Sequence, residues 1–76
     1  MPAKKSAAAQ AFGVAARSLR RERGIPQEAF AARAGLDRSY YGAIERGEFN
    51  LTLDTLVKVA AGLGVRPSTL LRRARL

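Results

Sequence analysis

The chain has 76 residues, which is room for one domain with a single modest hydrophobic core. It contains neither cysteine nor histidine, so disulfide bridges, Cys/His zinc sites and histidine acid–base catalysis are excluded. Fourteen Lys and Arg against six Asp and Glu give a formal net charge of +8, which indicates either a nucleic-acid partner or a solubilising basic surface.

The N-terminal part of the chain predicts an arm followed by a helix. Residues 1–8 have two lysines, an early proline and no apolar periodicity, which is typical of a flexible basic arm. A first helix is predicted over residues 9–23, because Phe12, Ala16 and Leu19 fall on one face of a helix. The folded domain is therefore expected from residue 9 onward.

Two short helices are predicted around a tight turn. Helix 2 begins near Pro26 and runs to Ala34, and Gly35 ends it by taking a positive φ. Helix 3 starts after Asp37, a suitable N-cap, and runs to about Arg46. This order of helix, turn and helix is the layout of a helix-turn-helix, whose second helix can enter the major groove of DNA.

Small and apolar residues support this layout. Ala31 lets helix 3 approach helix 2 closely, whereas Tyr41 and Ile44, three residues apart, give helix 3 an inner stripe. Tyr41 is therefore expected to face the core and its neighbour Tyr40 to face outward.

The C-terminal part of the chain predicts two further helices. Thr52 caps helix 4 over residues 53–62, and Pro67 opens a short helix 5 that contains Leu70 and Leu71. No internal repeat or strand-like alternation interrupts this pattern. The predicted fold class is all-α, with five short helices in one domain.

The run from Phe12 to Leu71 resembles the Cro/repressor-type helix-turn-helix proteins of the XRE family. The matching segments are LRRERG at 19–24, PQEAFAARAGL at 26–36, YGAIERGEFNLTLDTL at 41–56 and VAAGLGV at 59–65. The resemblance implies a compact five-helix domain like that of lambda repressor, with helix 3 as recognition helix and a dimer on a two-fold symmetric operator. LDRSYY followed by IERGEFNLT is also similar to the controller proteins of restriction–modification systems.

The resemblance implies that helix 3 reads bases. The candidate base-reading residues are Arg38, Ser39, Tyr40 and Ala43. Arg38 can pair bidentately with guanine, although a phosphate contact or an ion pair with Asp37 is the alternative. Ser39 can serve base or phosphate, and Tyr40 either contacts DNA or is partly buried.

Five residues are candidate contacts to the DNA phosphates. Gln27 lies at the N-terminus of helix 2, where the helix dipole and free amides favour an anion, and an ordinary surface glutamine is the alternative. The other phosphate candidates are Arg17, Arg46, Asn50 and Thr52. For the last three of these, ordinary solvation after helix 3 is the alternative.

Two further groups of residues are expected to have structural roles: one as an ion pair, which the resemblance implies, and one as a dimer interface, which hydrophobicity indicates. In the family, the arginine at the position of Arg20 pairs with the glutamate that ends helix 3, here Glu45, and two solvated charges are the alternative. An exposed leucine cluster at the end of such a domain indicates a symmetric dimer interface. The candidate dimer residues are Leu63, Val65, Leu70 and Leu71, and the alternative is that they belong to the hydrophobic core.

The expected partners are double-stranded DNA and a second copy of the chain. No catalytic residue, metal site, cofactor, small-molecule ligand or membrane segment is predicted, and the lack of cysteine suits a cytoplasmic location beside the nucleoid. Two other functions stay open: an antitoxin-like protein-interaction module and a nonspecific coat on the nucleoid. Sequence-specific binding of DNA by the chain alone would separate both from a transcriptional regulator.

Overall fold

The computed structural model describes residues 6–76 of the chain. Within that range it contains five α-helices and no strand, so the predicted all-α fold is confirmed. The helices are α1 Ala7–Glu22, α2 Gln27–Ala34, α3 Arg38–Glu45, α4 Leu53–Leu63 and α5 Pro67–Arg73. Residues 1–5 of the predicted arm lie outside the described range.

Helix α1 begins two residues earlier than the sequence pattern predicts. Ser6 is its N-cap, and the Ser6 hydroxyl accepts a hydrogen bond of 3.0 Å from the Ala9 amide. The alanines that follow Ser6 favour a helix strongly even without apolar periodicity. The cap and the propensity together therefore extend α1 into the stretch predicted as an arm.

The predicted caps set the turn between α2 and α3. Gly35 ends α2 with φ at 72°, a left-handed conformation that glycine adopts without a steric penalty. The Asp37 carboxylate then accepts a hydrogen bond from the Tyr40 amide at 3.1 Å and so starts α3. By contrast, Pro26 precedes α2 without any side-chain cap hydrogen bond. The short turn thus fixes the direction of α3 relative to α2.

The core lies between the helix-turn-helix and the last two helices. Phe30 of α2 and Tyr41 of α3 pack with their rings tilted by 47° and the ring centroids 4.8 Å apart, and both are fully buried. Ile44, Val59 and Leu70 are also almost completely enclosed. Tyr41 therefore faces the core, as its spacing from Ile44 predicts.

Two of the four candidate dimer residues belong to this core, which corrects the prediction. Leu63 is 2% exposed and Leu70 is 0% exposed, because α4 and α5 close over α1 and α2 and enclose both side chains. Val65 and Leu71 are half-buried against the same cluster. None of the four offers a fully exposed apolar side chain to a second copy.

Helices α1 and α3 approach each other at a glycine. A Cβ atom on Gly13 would come within 2.4 Å of the Glu45 carbonyl oxygen and 2.5 Å of the Ile44 carbonyl oxygen. Real atoms do not approach so closely, so this contact requires the absence of a side chain. Gly13 therefore allows α1 to support the C-terminal end of α3 directly.

Candidate nucleic-acid interface

A buried ion pair joins α1 to the end of α3. The Arg20 guanidinium donates from Nε to Glu45 Oε2 at 2.6 Å and from Nη2 to Glu45 Oε1 at 3.0 Å. Its Nη1 donates to the Ile25 carbonyl at 2.8 Å. The two charged side chains are only 9% and 3% exposed. The bidentate geometry and the third hydrogen bond compensate the desolvation of both charges.

The pKa values around this pair follow from burial and from the hydrogen bonds. Burial alone would raise the pKa of Glu45, but hydrogen bonds from Arg20 and Gln27, together with the nearby Tyr41 hydroxyl, bring it below its usual value. The hydrogen bonds to Glu45 raise the pKa of Arg20. Burial, followed by the neighbouring Glu45 carboxylate, raises the pKa of Tyr41 far above its usual value. Glu45 and Arg20 are therefore both ionised at neutral pH.

The Tyr41 hydroxyl lies beside this ion pair but is poorly satisfied. It is buried, and it makes no hydrogen bond of good geometry with the residues that the structure describes. Its electrostatic interaction with Glu45 and Arg20 is nonetheless strong enough to affect the pKa values of all three groups. The phenol ring therefore contributes packing to the core, while its oxygen lacks a well-formed hydrogen bond.

Gln27 extends the cluster to the start of α2. Its Nε2 donates a hydrogen bond of 3.0 Å to Glu45 Oε1. An amide nitrogen has two N–H groups, so one of them is used by Glu45 and the other can serve a second acceptor. Gln27 is half-buried. The carboxylate of Glu45 thus orients the side chain at the N-terminus of α2.

A polar hollow lies on the outer side, between the N-terminus of α2 and α3. We call it the recognition hollow, and its lining residues are Gln27, Arg38, Ser39, Gly42 and Arg46. Two guanidinium groups, an amide and a hydroxyl thus surround one concave surface. Guanidinium groups match the geometry of phosphate and of a guanine edge, so this lining suits nucleic acid better than an apolar ligand.

Both arginines of the recognition hollow carry an acidic partner on the surface. Arg38 Nε lies 3.6 Å from Glu28 Oε2, with the two side chains 67% and 78% exposed. Arg46 donates to both oxygens of Glu48, at 2.7 Å and 3.3 Å, which raises the pKa of Arg46. Arg38 therefore pairs with Glu28, whereas the carboxylate of Asp37, the alternative partner, caps α3.

The remaining base-reading candidates differ in exposure. Ser39 is exposed, whereas Tyr40 is half-buried, with its ring centroid 6.1 Å from that of Phe49. Ala43 is 5% exposed, so its methyl group is not available to a base edge, and this prediction is wrong. The chain folds back at the end of α3, where the Glu48 amide donates to the Ala43 carbonyl at 3.0 Å.

The remaining phosphate candidates lie on three different elements. Arg17 is exposed on α1, and the Asn50 amide oxygen accepts a hydrogen bond of 3.1 Å from the Ser6 hydroxyl. The Thr52 hydroxyl accepts from the Thr55 amide and donates to the Thr55 hydroxyl, both at 3.1 Å, so it is used as the cap of α4. Of the five phosphate candidates, Gln27 and Arg46 line the recognition hollow, and these three do not.

Three residues that contact α3 or its arginines were not predicted from the sequence. Gly13 could have been recognised, because a glycine inside a helical pattern costs stability and so indicates a packing requirement. Glu28 and Glu48 gave no signal, because nothing in their spacing identifies which arginine each contacts. Their roles depend on the fold of the chain around α3.

Two other kinds of site are absent from residues 6–76. No three acidic, histidine or cysteine side chains gather there in a way that could hold a metal ion. In the same range, no helix combines the length and the apolar character needed to cross a membrane.

Comparison with known proteins gives matches along most of the chain. The family model HTH_3, helix-turn-helix, matches residues 17–70. The control protein C.MunI of a Mycoplasma species is 47% identical over 60 residues, which cover 78% of this chain and 81% of that protein. The restriction-modification controller protein C.AhdI from Aeromonas hydrophila superposes with a TM-score of 0.82 and 42% identity, over 86% of this chain and 98% of its own. The controller protein C.Esp1396I gives a TM-score of 0.84 and 30% identity, with coverages of 92% and 91%.

Proposed function

This chain belongs to the HTH_3 helix-turn-helix family of DNA-binding transcription regulators, and from that premise we propose that it binds a palindromic operator sequence-specifically as a homodimer. In the proposed complex, α3 enters the major groove and the N-terminus of α2 lies against the phosphate backbone. Arg38 and Ser39 are the proposed base readers, and Gln27 and Arg46 the proposed phosphate contacts.

The recognition hollow is the observation that supports this proposal most. Its cationic and hydrogen-bonding side chains come from the two helices of the helix-turn-helix and face outward together. Gln27 retains one N–H for an acceptor while Glu45 holds the amide in place. An anion bound at this point would therefore meet a preoriented donor at a helix N-terminus.

Selection of binding sites from a random DNA pool at near-physiological salt tests the proposal. We expect a two-fold symmetric consensus whose half-sites are about one helical turn apart. Arg38→Ala should lose the preference for a guanine, with a discrimination loss of about 1–3 kcal/mol at that position. Enrichment of no motif would contradict sequence-specific binding and favour nonspecific coating or a partner-dependent role.

We propose that the dimer forms through the exposed face of α4 and not through Leu63 and Leu70, which are buried in the core. Leu53 and Val57 lie one turn apart and are 79% and 52% exposed. An apolar groove beside them is lined by Leu56, Leu71 and Leu76. An exposed apolar face of this kind is typical of a protein interface.

The charges on α4 favour a second copy as the occupant of this face. Asp54 and Lys58 are exposed beside Leu53 and Val57 and lie one helical turn apart. In a two-fold symmetric pair the same face meets itself, so antiparallel α4 helices would bring each aspartate near the lysine of the other copy. The face is thus self-complementary in charge as well as apolar.

Sedimentation of a single substitution tests the dimer face. Leu53→Asp should convert the protein to a monomer, because a charge would be buried against an apolar surface. Val14→Asp is the matched control, since Val14 is also apolar and 66% exposed but lies on α1. A dimer that survives Leu53→Asp, or that Val14→Asp also dissociates, would contradict this interface.

The similarity to control proteins suggests a biological role for the regulator. C.MunI is named a control protein, and C.AhdI is described as a restriction-modification controller protein. We therefore propose that this chain regulates restriction–modification genes and works in the bacterial cytoplasm. Footprinting on the promoter regions of such genes, including the promoter of its own gene, would test this role, and protection of unrelated promoters alone would contradict it.

A further inference from the structure

Each arginine of the recognition hollow is held by its own exposed carboxylate. Glu28 contacts Arg38 across the turn between α2 and α3, and Glu48 contacts Arg46 just after α3. The two guanidinium groups that would meet DNA are therefore both compensated in charge before any DNA arrives.

These pairs differ in strength from the buried pair of Arg20 with Glu45. All four side chains of the exposed pairs lie at least one third open to solvent, so water and salt screen the attraction. The arginine of such a pair can therefore leave its carboxylate for another acceptor at a small cost in free energy. The geometry therefore suits a reversible contact rather than a structural one.

Two other carboxylates near α3 have different roles. Asp37 caps the helix through the Tyr40 amide, and Glu45 is buried with Arg20 and Gln27. The carboxylates that contact the arginines of the recognition hollow are therefore those of Glu28, on α2, and Glu48, in the loop after α3. Their negative charges would face the phosphates of any DNA docked there.

We propose that Glu28 and Glu48 are specificity-determining positioning residues that act through Arg38 and Arg46. This inference rests on the proposed function. On an incorrect sequence, the arginines stay with their carboxylates, and the carboxylates repel the phosphates. On the operator, a guanine edge or a well-placed phosphate offers bidentate hydrogen bonds that replace the internal pair. The acids thus lower nonspecific affinity more than operator affinity, which increases discrimination.

The central test compares Glu28→Gln with the wild type on an operator duplex and on a scrambled duplex over a range of salt concentrations. Nonspecific affinity should rise by about twofold to fivefold, the fold-change that an exposed ion pair can supply. The slope of log affinity against log salt for the scrambled duplex should steepen by about one phosphate contact. Operator affinity should change less, so the ratio of the two affinities should fall.

Glu22→Gln is the matched control for charge. Glu22 also pairs with an exposed arginine, Arg73, but the two lie at the contact of α1 with α5. This variant gains the same net positive charge and should leave the ratio of operator to scrambled affinity unchanged. An equal loss of discrimination in Glu22→Gln would show a general charge effect and overturn the inference.

Removing the arginines tests whether the acids act through them. In an Arg38→Ala background, Glu28→Gln should no longer raise nonspecific affinity, and Glu48→Gln should behave in the same way in an Arg46→Ala background. An undiminished effect without the arginine would overturn the positioning role. A wild type with no preferred sequence would overturn the proposed function, whereas a preferred sequence whose discrimination survives both glutamine variants would overturn this inference alone.

Discussion

The inner and outer sides of α3 use the same chemical groups in opposite ways. On the inner side, Glu45 and Arg20 are nearly excluded from solvent and have several hydrogen bonds each. On the outer side, Arg38 and Glu28 form one long contact in open solvent. Burial therefore decides that the first pair holds the helix in place while the second stays exchangeable.

The largest difference between the two sides should appear on truncation of the inner glutamate. Glu45→Ala would leave the Arg20 guanidinium buried without its counter-ion, so we expect a loss of about 3–5 kcal/mol in the free energy of unfolding. Chemical denaturation measures this loss. Glu22→Ala, which breaks the exposed pair with Arg73, should cost only about 0–1 kcal/mol, and similar losses in the two variants would contradict the distinction.

The helix contact on the inner side gives the second prediction. Gly13→Ala would place a methyl group against the Glu45 and Ile44 carbonyls, which are backbone atoms and cannot rotate away. Such overpacking should destabilise the fold by about 1–3 kcal/mol despite the better helix propensity of alanine. Thermal unfolding of the variant checks this. An unchanged or raised melting temperature would show that α1 and α3 do not need the glycine.

The pH dependence of stability should also originate on the inner side. The folded state lowers the pKa of Glu45, so its stabilising contribution is complete above the usual glutamate pKa of about 4.3 and is lost as the pH falls below it. Burial raises the pKa of Tyr41, so stability should also fall as the pH rises above the usual tyrosine value of about 10.

Two variants test whether Glu45 causes the loss of stability in acid and Tyr41 the loss in alkali. In denaturation at several pH values, Glu45→Gln should be less stable than the wild type at neutral pH, and the gap should narrow in acid. Tyr41→Phe should weaken the alkaline decline and cost little at neutral pH, because its hydroxyl lacks a well-formed hydrogen bond. Parallel curves for a variant and the wild type would exclude that residue as the source.

Local signals were sufficient to predict most of the helical framework. Asp37 and Thr52 cap their helices as predicted, and Gly35 ends α2, because each depends on backbone geometry within a few residues. The sequence left open whether Leu63 and Leu70 lie in the core or at a dimer interface, since helical spacing identifies an apolar face but not the element that covers it. Packing of α4 and α5 against the first two helices decides that.

The candidate interface was predictable only in part for the same reason. The resemblance identified Arg20 with Glu45 and the side chains Gln27, Arg38, Ser39 and Arg46. It did not identify Glu28 as the partner of Arg38, because the two residues are ten positions apart and meet only across the turn. Contacts of this kind depend on the angle between helices, and that angle cannot be inferred from the local patterns of a single sequence.

Gly42 is the glycine of the recognition hollow, on the outer side of α3. We expect its substitution to have the smallest effect on stability of those discussed, in contrast to the substitution of Gly13 on the inner side. A Cβ on Gly42 would lie 3.2 Å from Arg46 Nη1 and 3.4 Å from Gln27 Oε1, which are ends of flexible side chains. Gly42→Ala should therefore change the free energy of unfolding by at most about 1 kcal/mol, with helix propensity favouring alanine.

DNA binding by this variant should fall although the fold survives. The new methyl group would displace the two side chains that are proposed to contact phosphate, so operator and nonspecific affinity should fall together. Direct titration of both duplexes, beside the denaturation curve, measures this. Because Gly13→Ala adds the same methyl group to the inner contact, it should lose stability first, and its DNA affinity should fall only as the folded fraction falls. If Gly42→Ala instead lost stability as Gly13→Ala does, the two sides of α3 would not be separable into support and recognition.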